Sequence, residues 1–121
     1  MSERTDLHFF QDIQESIHSA IEFFADYDVE SFSSDRKTKS AAVRELEIIG
    51  DAANRVSSEN KDKYSSVPWR LIMDFRKVLS HEYFGVNDEV VLDIVRHKLP
   101  NLNKQIAEII LLENSNDRPI L

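Results

Sequence analysis

The chain has no cysteine in its 121 residues. That excludes disulfides, zinc–thiolate centres and a thiol nucleophile, and it suits a reducing cytosol, so a cytoplasmic location is expected. Breakers are scarce too, with two glycines and three prolines. No apolar run approaches the ~20 residues of a membrane-crossing helix. The opening Met1-Ser-Glu-Arg-Thr-Asp6 lacks the basic-then-apolar order of a secretion signal, so no membrane partner is expected. There are no internal repeats and no low-complexity segments. Basic side chains are the minority, 15 against 22 acidic, for a net charge of −7. Phosphate neutralisation supplies most non-specific affinity for nucleic acid. The balance therefore argues against a protein that coats RNA or DNA, but it leaves room for a local basic site. The cations gather at Arg36, Lys37, Lys39 and Arg44, at Arg70, Arg76 and Lys77, and at Arg96, His97 and Lys98.

With so few breakers and long 3.6-residue periodicities, the expected fold is all-α. The length allows one domain with one core, residues 1–113, followed by a flexible tail over 114–121. A helix over residues 5–27 carries Phe10, Ile13, Ile17, Ala20, Ile21 and Phe24 on one stripe, widened by Phe9 and Phe23. So broad an apolar surface asks for cover on more than one side. Residues 28–37 read as a polar connection with Ser31, Ser33 and Ser34 as caps. A second long helix, over 38–57, points Ala42, Leu46, Ile49, Ala53 and Val56 to the core. Gly50 within it costs ~1 kcal/mol relative to alanine, which close helix approach at Gly50, Ala52 and Ala53 would offset. Residues 58–66 read as a charged loop. Pro68 suits a helix start, with Ile72, Phe75 and Leu79 inward and Gly85 as the stop. Asn87 caps a further helix bearing Val91, Ile94 and Val95, and Leu99-Pro100 is expected to break it. A last helix then carries Leu102, Ile106, Ile109 and Ile110. Short links favour antiparallel neighbours, hence an up-and-down four-helix bundle with an additional short helix.

The chemistry concentrates in Met73-Asp-Phe-Arg-Lys-Val-Leu-Ser-His-Glu-Tyr-Phe-Gly85. Arg76 is a permanent cation, His81 exchanges a proton near neutrality, and Tyr83 offers a hydroxyl. A cation beside an acid/base group is what phosphodiester cleavage requires, since charge builds on the phosphoryl group as a hydroxyl loses its proton. Lys77 adds a phosphate contact. Each residue turns ~100° on an ideal helix, so Arg76 and Tyr83 nearly align, with Trp69 and Met73 on the same face, whereas His81 stands ~140° from Arg76. Either the helix loosens in its last turn, or the site is composite across a two-fold axis.

The spacing Arg76-x4-His81-x-Tyr83 resembles the R-x4-H-x-Y motif of the HEPN superfamily, in the form typical of HepT-like toxins. The likeness extends to Glu45-Leu-Glu-Ile-Ile-Gly-Asp-Ala-Ala53, to Pro68-Trp69 and to Leu99-Pro100-Asn101-Leu102, and so covers about residues 7–112. The resemblance implies a HEPN-like bundle that forms a symmetric homodimer with paired motifs lining one cleft. The motif-bearing helix and the wide face of the first helix would then lie at the interface. It further implies metal-independent endoribonuclease activity with no cofactor. Arg76 and His81 would be catalytic, and RNA, with transfer RNA as one candidate, the substrate. The toxin's partner would be a cognate minimal nucleotidyltransferase antitoxin that adds AMP to the Tyr83 hydroxyl. One departure stands out: the residue after the motif arginine is most often asparagine in the family, and here it is Lys77, which cannot accept a hydrogen bond. That change, with the acidic charge, favours the alternative of a non-catalytic module that docks a nucleotidyltransferase. The intact Arg76, His81 and Tyr83 favour the nuclease.

Other patterns carry less. Glu15-Ser-Ile-His18 has the E-x-x-H spacing of di-iron bundles, but no second copy exists, so no metal is expected. His81-Glu82 begins like a zinc-protease helix, but Gly85 occupies the required histidine position. There is no glycine-rich phosphate loop, and the Arg36–Arg44 cations read as a solvated helix face.

Overall fold

A computed structural model describes the backbone of residues 5–81 and 88–117, and the side chains of that set except 76–81 and 116–117. The chain is all-α, as its periodicity implies. Helix α1 (Asp6–Phe24) begins at a capping box: Thr5 Oγ1 accepts from the His8 N–H while the Thr5 N–H donates to His8 Nδ1. Its inward stripe of Phe10, Ile13, Ile17, Ala20 and Phe24 is buried. The expected widening of that stripe is uneven, for Phe9 and Ile21 are half-buried and Phe23 is 59% exposed.

Residues 28–37 are not a bare connection. They hold α2 (Val29–Ser34), whose caps are aspartates rather than serines. Asp28 Oδ1 accepts from the Ser31 N–H at 2.7 Å, and the one fully buried side chain is Phe32. Asp35 then caps α3 (Arg36–Arg55), accepting from the Thr38 N–H at 3.2 Å. The Ser31 N–H holds the Asp28 carboxyl below the ordinary aspartate value, and the Thr38 side chain, followed by its N–H, does the same for Asp35. Ala42, Leu46, Ile49 and Ala53 form the buried face of α3, joined by Gly50 and Ala52. Residues 58–66 also contain a helical turn, α4 (Ser58–Lys63), capped by Ser57. Its start is fastened to the start of α1, because the Asp6 carboxylate accepts from the Ser57 N–H, the Ser57 hydroxyl and the Asn60 amide.

Helix α5 (Trp69–His81) carries the motif, and α6 (Asp88–Asp93) follows it. The expected break at Leu99-Pro100 is absent. Residues Ile94–Lys98 form a π-helical turn that leads directly into α7 (Leu99–Asp117). Pro100 has no N–H and its ring crowds the carbonyl four residues back, which would break an α-helix. Here the Leu99 N–H donates to the Ile94 carbonyl, five residues back. The wider turn makes room for the ring, and the rod stays helical on both sides. Arg96, inside that turn, donates from Nε to the Ala25 carbonyl at 2.8 Å and so closes the C-terminal end of α1. Helix α7 also continues past residue 113, through Asp117.

Helices α1, α3, α5 and the α6–α7 rod make the four-helix bundle. Helix α1 packs on α3 and α7, and α3 packs on α5. Helix α2 bridges α3 and α6, where Asp88 accepts from Ser33 Oγ at 2.5 Å and pairs with Lys39 at 3.3 Å. No helix among the described residues is long and apolar enough to cross a membrane.

Phe10 is central, fully buried and in ring contact with both Tyr64 and Trp69 at 6.2 Å. Phe10→Ala is expected to lower stability by about 3–5 kcal/mol in urea unfolding; a loss under 1 kcal/mol would show that this contact is dispensable. The two capping aspartates set an acid dependence. Their folded carboxyl values are depressed, so their contribution is full above the ordinary 3.8 and is lost as pH falls through the folded values. In Asp28→Asn/Asp35→Asn, which keeps the acceptors without the charge, Tm should decline less steeply between about pH 4 and pH 2 than in wild type.

Candidate active site

The site is built on α5, and its start is held by three kinds of contact. The Pro68 carbonyl accepts the Ile72 N–H at 3.1 Å, completing the first turn. The Trp69 indole N–H donates to the Tyr64 carbonyl at 3.1 Å while its ring lies against Phe10. Tyr64 in turn donates its hydroxyl to Glu113 of α7 at 2.5 Å, and the Lys63 ammonium reaches the same carboxylate at 3.4 Å. Burial first, and then the Glu113 carboxylate, push the Tyr64 phenol above its ordinary value, so it remains a donor across the physiological range. A second strap joins Gln105 Nε2 of α7 to the Ser66 carbonyl at 3.0 Å. Ile72 and Phe75 are buried as the sequence implies, Met73 is half-buried, and Arg70, Leu71 and Asp74 are exposed.

Helix α5 is regular through position 81, and positions 76, 77 and 81 occupy its last turns. The side chains of Arg76, Lys77, Leu79 and His81, and Tyr83, Gly85 and Asn87 altogether, lie outside the described residues. The backbone does decide one point: an unbroken α-helix keeps positions 76 and 81 ~140° apart around its axis.

The other cationic clusters divide. Arg96 is committed to the end of α1, whereas its neighbours His97 and Lys98 are exposed. Lys39 pairs with Asp88, while Arg36, Lys37 and Arg44 lie exposed along α3. Glu15 and His18 are exposed on α1, and among the described residues no three His, Asp or Glu side chains are gathered as a metal site requires.

A feature without a sequence signal is a groove of about 430 Å³ between α5 and the π turn with the start of α7. Ile72 and Phe75 line one side, Leu99 and Leu102 the other, with His97 and Lys98 among the polar lining. The run Arg96-His97-Lys98 stood out as charge, but only the π turn gives its members different surroundings.

Comparison with known proteins agrees with the motif. The family described as Ribonuclease HepT-like matches residues 13–109. The Methanocaldococcus jannaschii protein named "Putative RNase MJ0127" is 41% identical over 102 residues, 84% of each chain. "Putative RNase TTE0752" of Caldanaerobacter subterraneus is 42% identical over 84 residues, 69% of this chain and 75% of that one. "Probable ribonuclease HepT" of Thermococcus cleftensis is 33% identical over 106 residues, 88% of this chain and 96% of that one. No solved structure gives a significant match. With more than half its length matched, and the whole of α5 inside the matched stretch, the chain belongs to the HepT-like ribonuclease family.

Proposed function

We propose that this chain is a metal-independent endoribonuclease, the toxin of a two-gene module, restrained by a minimal nucleotidyltransferase partner. One observation carries the reading: Arg76, His81 and Tyr83 keep R-x4-H-x-Y spacing within the stretch matched to the HepT-like ribonucleases. Relatives named as RNases are similar over most of both chains, which supports extending that activity to this one.

The reaction needs no resident metal. One imidazole, His81, takes the proton of the RNA 2′-hydroxyl. The 2′-oxygen then bonds to the adjacent phosphorus, the bond to the 5′-oxygen breaks, and the imidazolium so formed gives its proton to the leaving oxygen. The products end in a 2′,3′-cyclic phosphate and a 5′-hydroxyl. Arg76 stabilises the crowded phosphoryl anion, and Lys77 adds a phosphate contact. DNA lacks the internal nucleophile and is not a substrate. The regular helix through position 81 supports a site assembled from two protomers rather than a loosened last turn, because a single helix holds Arg76 and His81 apart. A homodimer with α5 at its interface meets that requirement. Transfer of AMP to Tyr83 would place a bulky anion beside Arg76 and compete with the RNA phosphate for it, the electrostatic logic of a phosphorylation switch.

Cleavage of a defined RNA should persist in EDTA and leave 2′,3′-cyclic phosphate ends. Arg76→Ala and His81→Ala should each lower the rate by roughly 10²–10⁴-fold. Wild-type rates in both variants, or no cleavage by wild type over a panel of cellular RNAs, would overturn the nuclease reading. Separately, Tyr83→Phe should cleave normally yet acquire no AMP when incubated with the partner enzyme and ATP. Adenylylation of that variant at another residue would remove Tyr83 from the switch.

A further inference from the structure

We propose that the groove between α5 and the π turn is a nucleotide subsite, one that seats a base of the RNA chain next to the cleaved linkage and holds its phosphate. The proposal deepens the ribonuclease reading and rests on it for the identity of the polymer. The binding claim can be tested without catalysis.

Three features point to a nucleotide. The first is shape: about 430 Å³ falls in the range of small-molecule and cofactor pockets. The second is the division of its lining. Phe75 and Ile72 on one side and Leu99 and Leu102 on the other offer apolar surface on which a base can stack, while His97 and Lys98 supply the charge and hydrogen bonds a phosphate needs. The third is charge. The chain has 22 acidic residues in 121, yet no carboxylate among the described residues lines this groove, and both His97 and Lys98 are exposed. In an acidic protein, a concave surface whose described lining holds a lysine and no acid is where an anionic polymer meets least repulsion.

Position ties the groove to the motif. Phe75 and Ile72 precede Arg76 on the same helix, by one residue and by one turn. The groove therefore lies within about one helical turn of position 76 along α5. The π turn supplies the groove's polar edge, since His97 and Lys98 lie within it. A π insertion at a binding site is a recurrent arrangement.

The test uses the full-length protein and adenosine 5′-monophosphate as the probe, with inorganic phosphate and adenosine as separate arms. In a ¹⁵N-labelled sample the mononucleotide should shift amides of residues 71–75 and 97–105 saturably. Phosphate alone should perturb residues 97–98, and adenosine the apolar side. Lys98→Glu and Leu71→Glu alter exposed residues that line the groove and should leave the helical circular dichroism unchanged. Each should weaken the mononucleotide by roughly tenfold or more and raise KM for RNA cleavage, with kcat within about twofold of wild type. His81→Ala should lose cleavage yet bind the mononucleotide like wild type. That variant separates the two claims: cleavage surviving in His81→Ala would refute the chemistry while the shifts upheld the groove. Shifts confined to residues outside the groove, or an unchanged KM in both groove variants, would overturn the subsite. Conversion of a dimer to monomers by Lys98→Glu would overturn it as well, by assigning the face to a chain–chain contact.

Discussion

Trp69 is fastened where the motif helix begins, and the placement of everything on that helix follows from it. Its ring lies against Phe10 in the centre of the core, and its N–H is held by the Tyr64 carbonyl. Tyr64 is itself tethered to Glu113 on the far side of the bundle. A helix is a screw, so fixing the rotation at residue 69 fixes the direction of every later residue at ~100° per step. Arg76 lies seven residues on and His81 twelve. Loss of the Phe10–Trp69 contact would thus disturb the site from more than 10 Å away, at 1.5 Å of rise per residue, without touching a reacting group.

The second organising constraint is Pro100. In most helical contexts it would divide the C-terminal half into two separately oriented helices. The π turn at Ile94–Lys98 absorbs it and lets Asp88–Asp117 act as one rod, with Arg96 pinned to the end of α1. The same turn carries His97 and Lys98, so a fold-level accommodation and part of a candidate binding surface share one segment.

The long helices were legible because burial on one face writes a 3.6-residue stripe into the chain: Phe10, Ile13, Ile17 and Ala20 on α1, Ala42, Leu46, Ile49 and Ala53 on α3. Helices α2 and α4 are too short for any period to emerge. Their signals were the caps Asp28 and Ser57, with Val29 and Phe32 the apolar residues of α2 among polar neighbours. The Leu99-Pro100 break was misread because local backbone rules see the missing N–H but not the π turn that replaces it. Of the site, the motif and its helix were legible from spacing. The groove was not, since its two sides come from residues about 25 positions apart and meet only in the fold.

In the proposed homodimer, a symmetric pair of motif helices would double the positive charge at one place of an acidic chain. The account stands on that pairing. It is tested most directly by mixing two inactive proteins, Arg76→Ala and His81→Ala, under conditions where subunits exchange. If guanidinium and imidazole groups from different chains serve one linkage, the mixed dimers retain one intact copy of each, and cleavage returns to a substantial fraction of the wild-type rate. If mixing restores nothing although exchange is complete by native mass spectrometry, each chain works alone and the composite site is wrong.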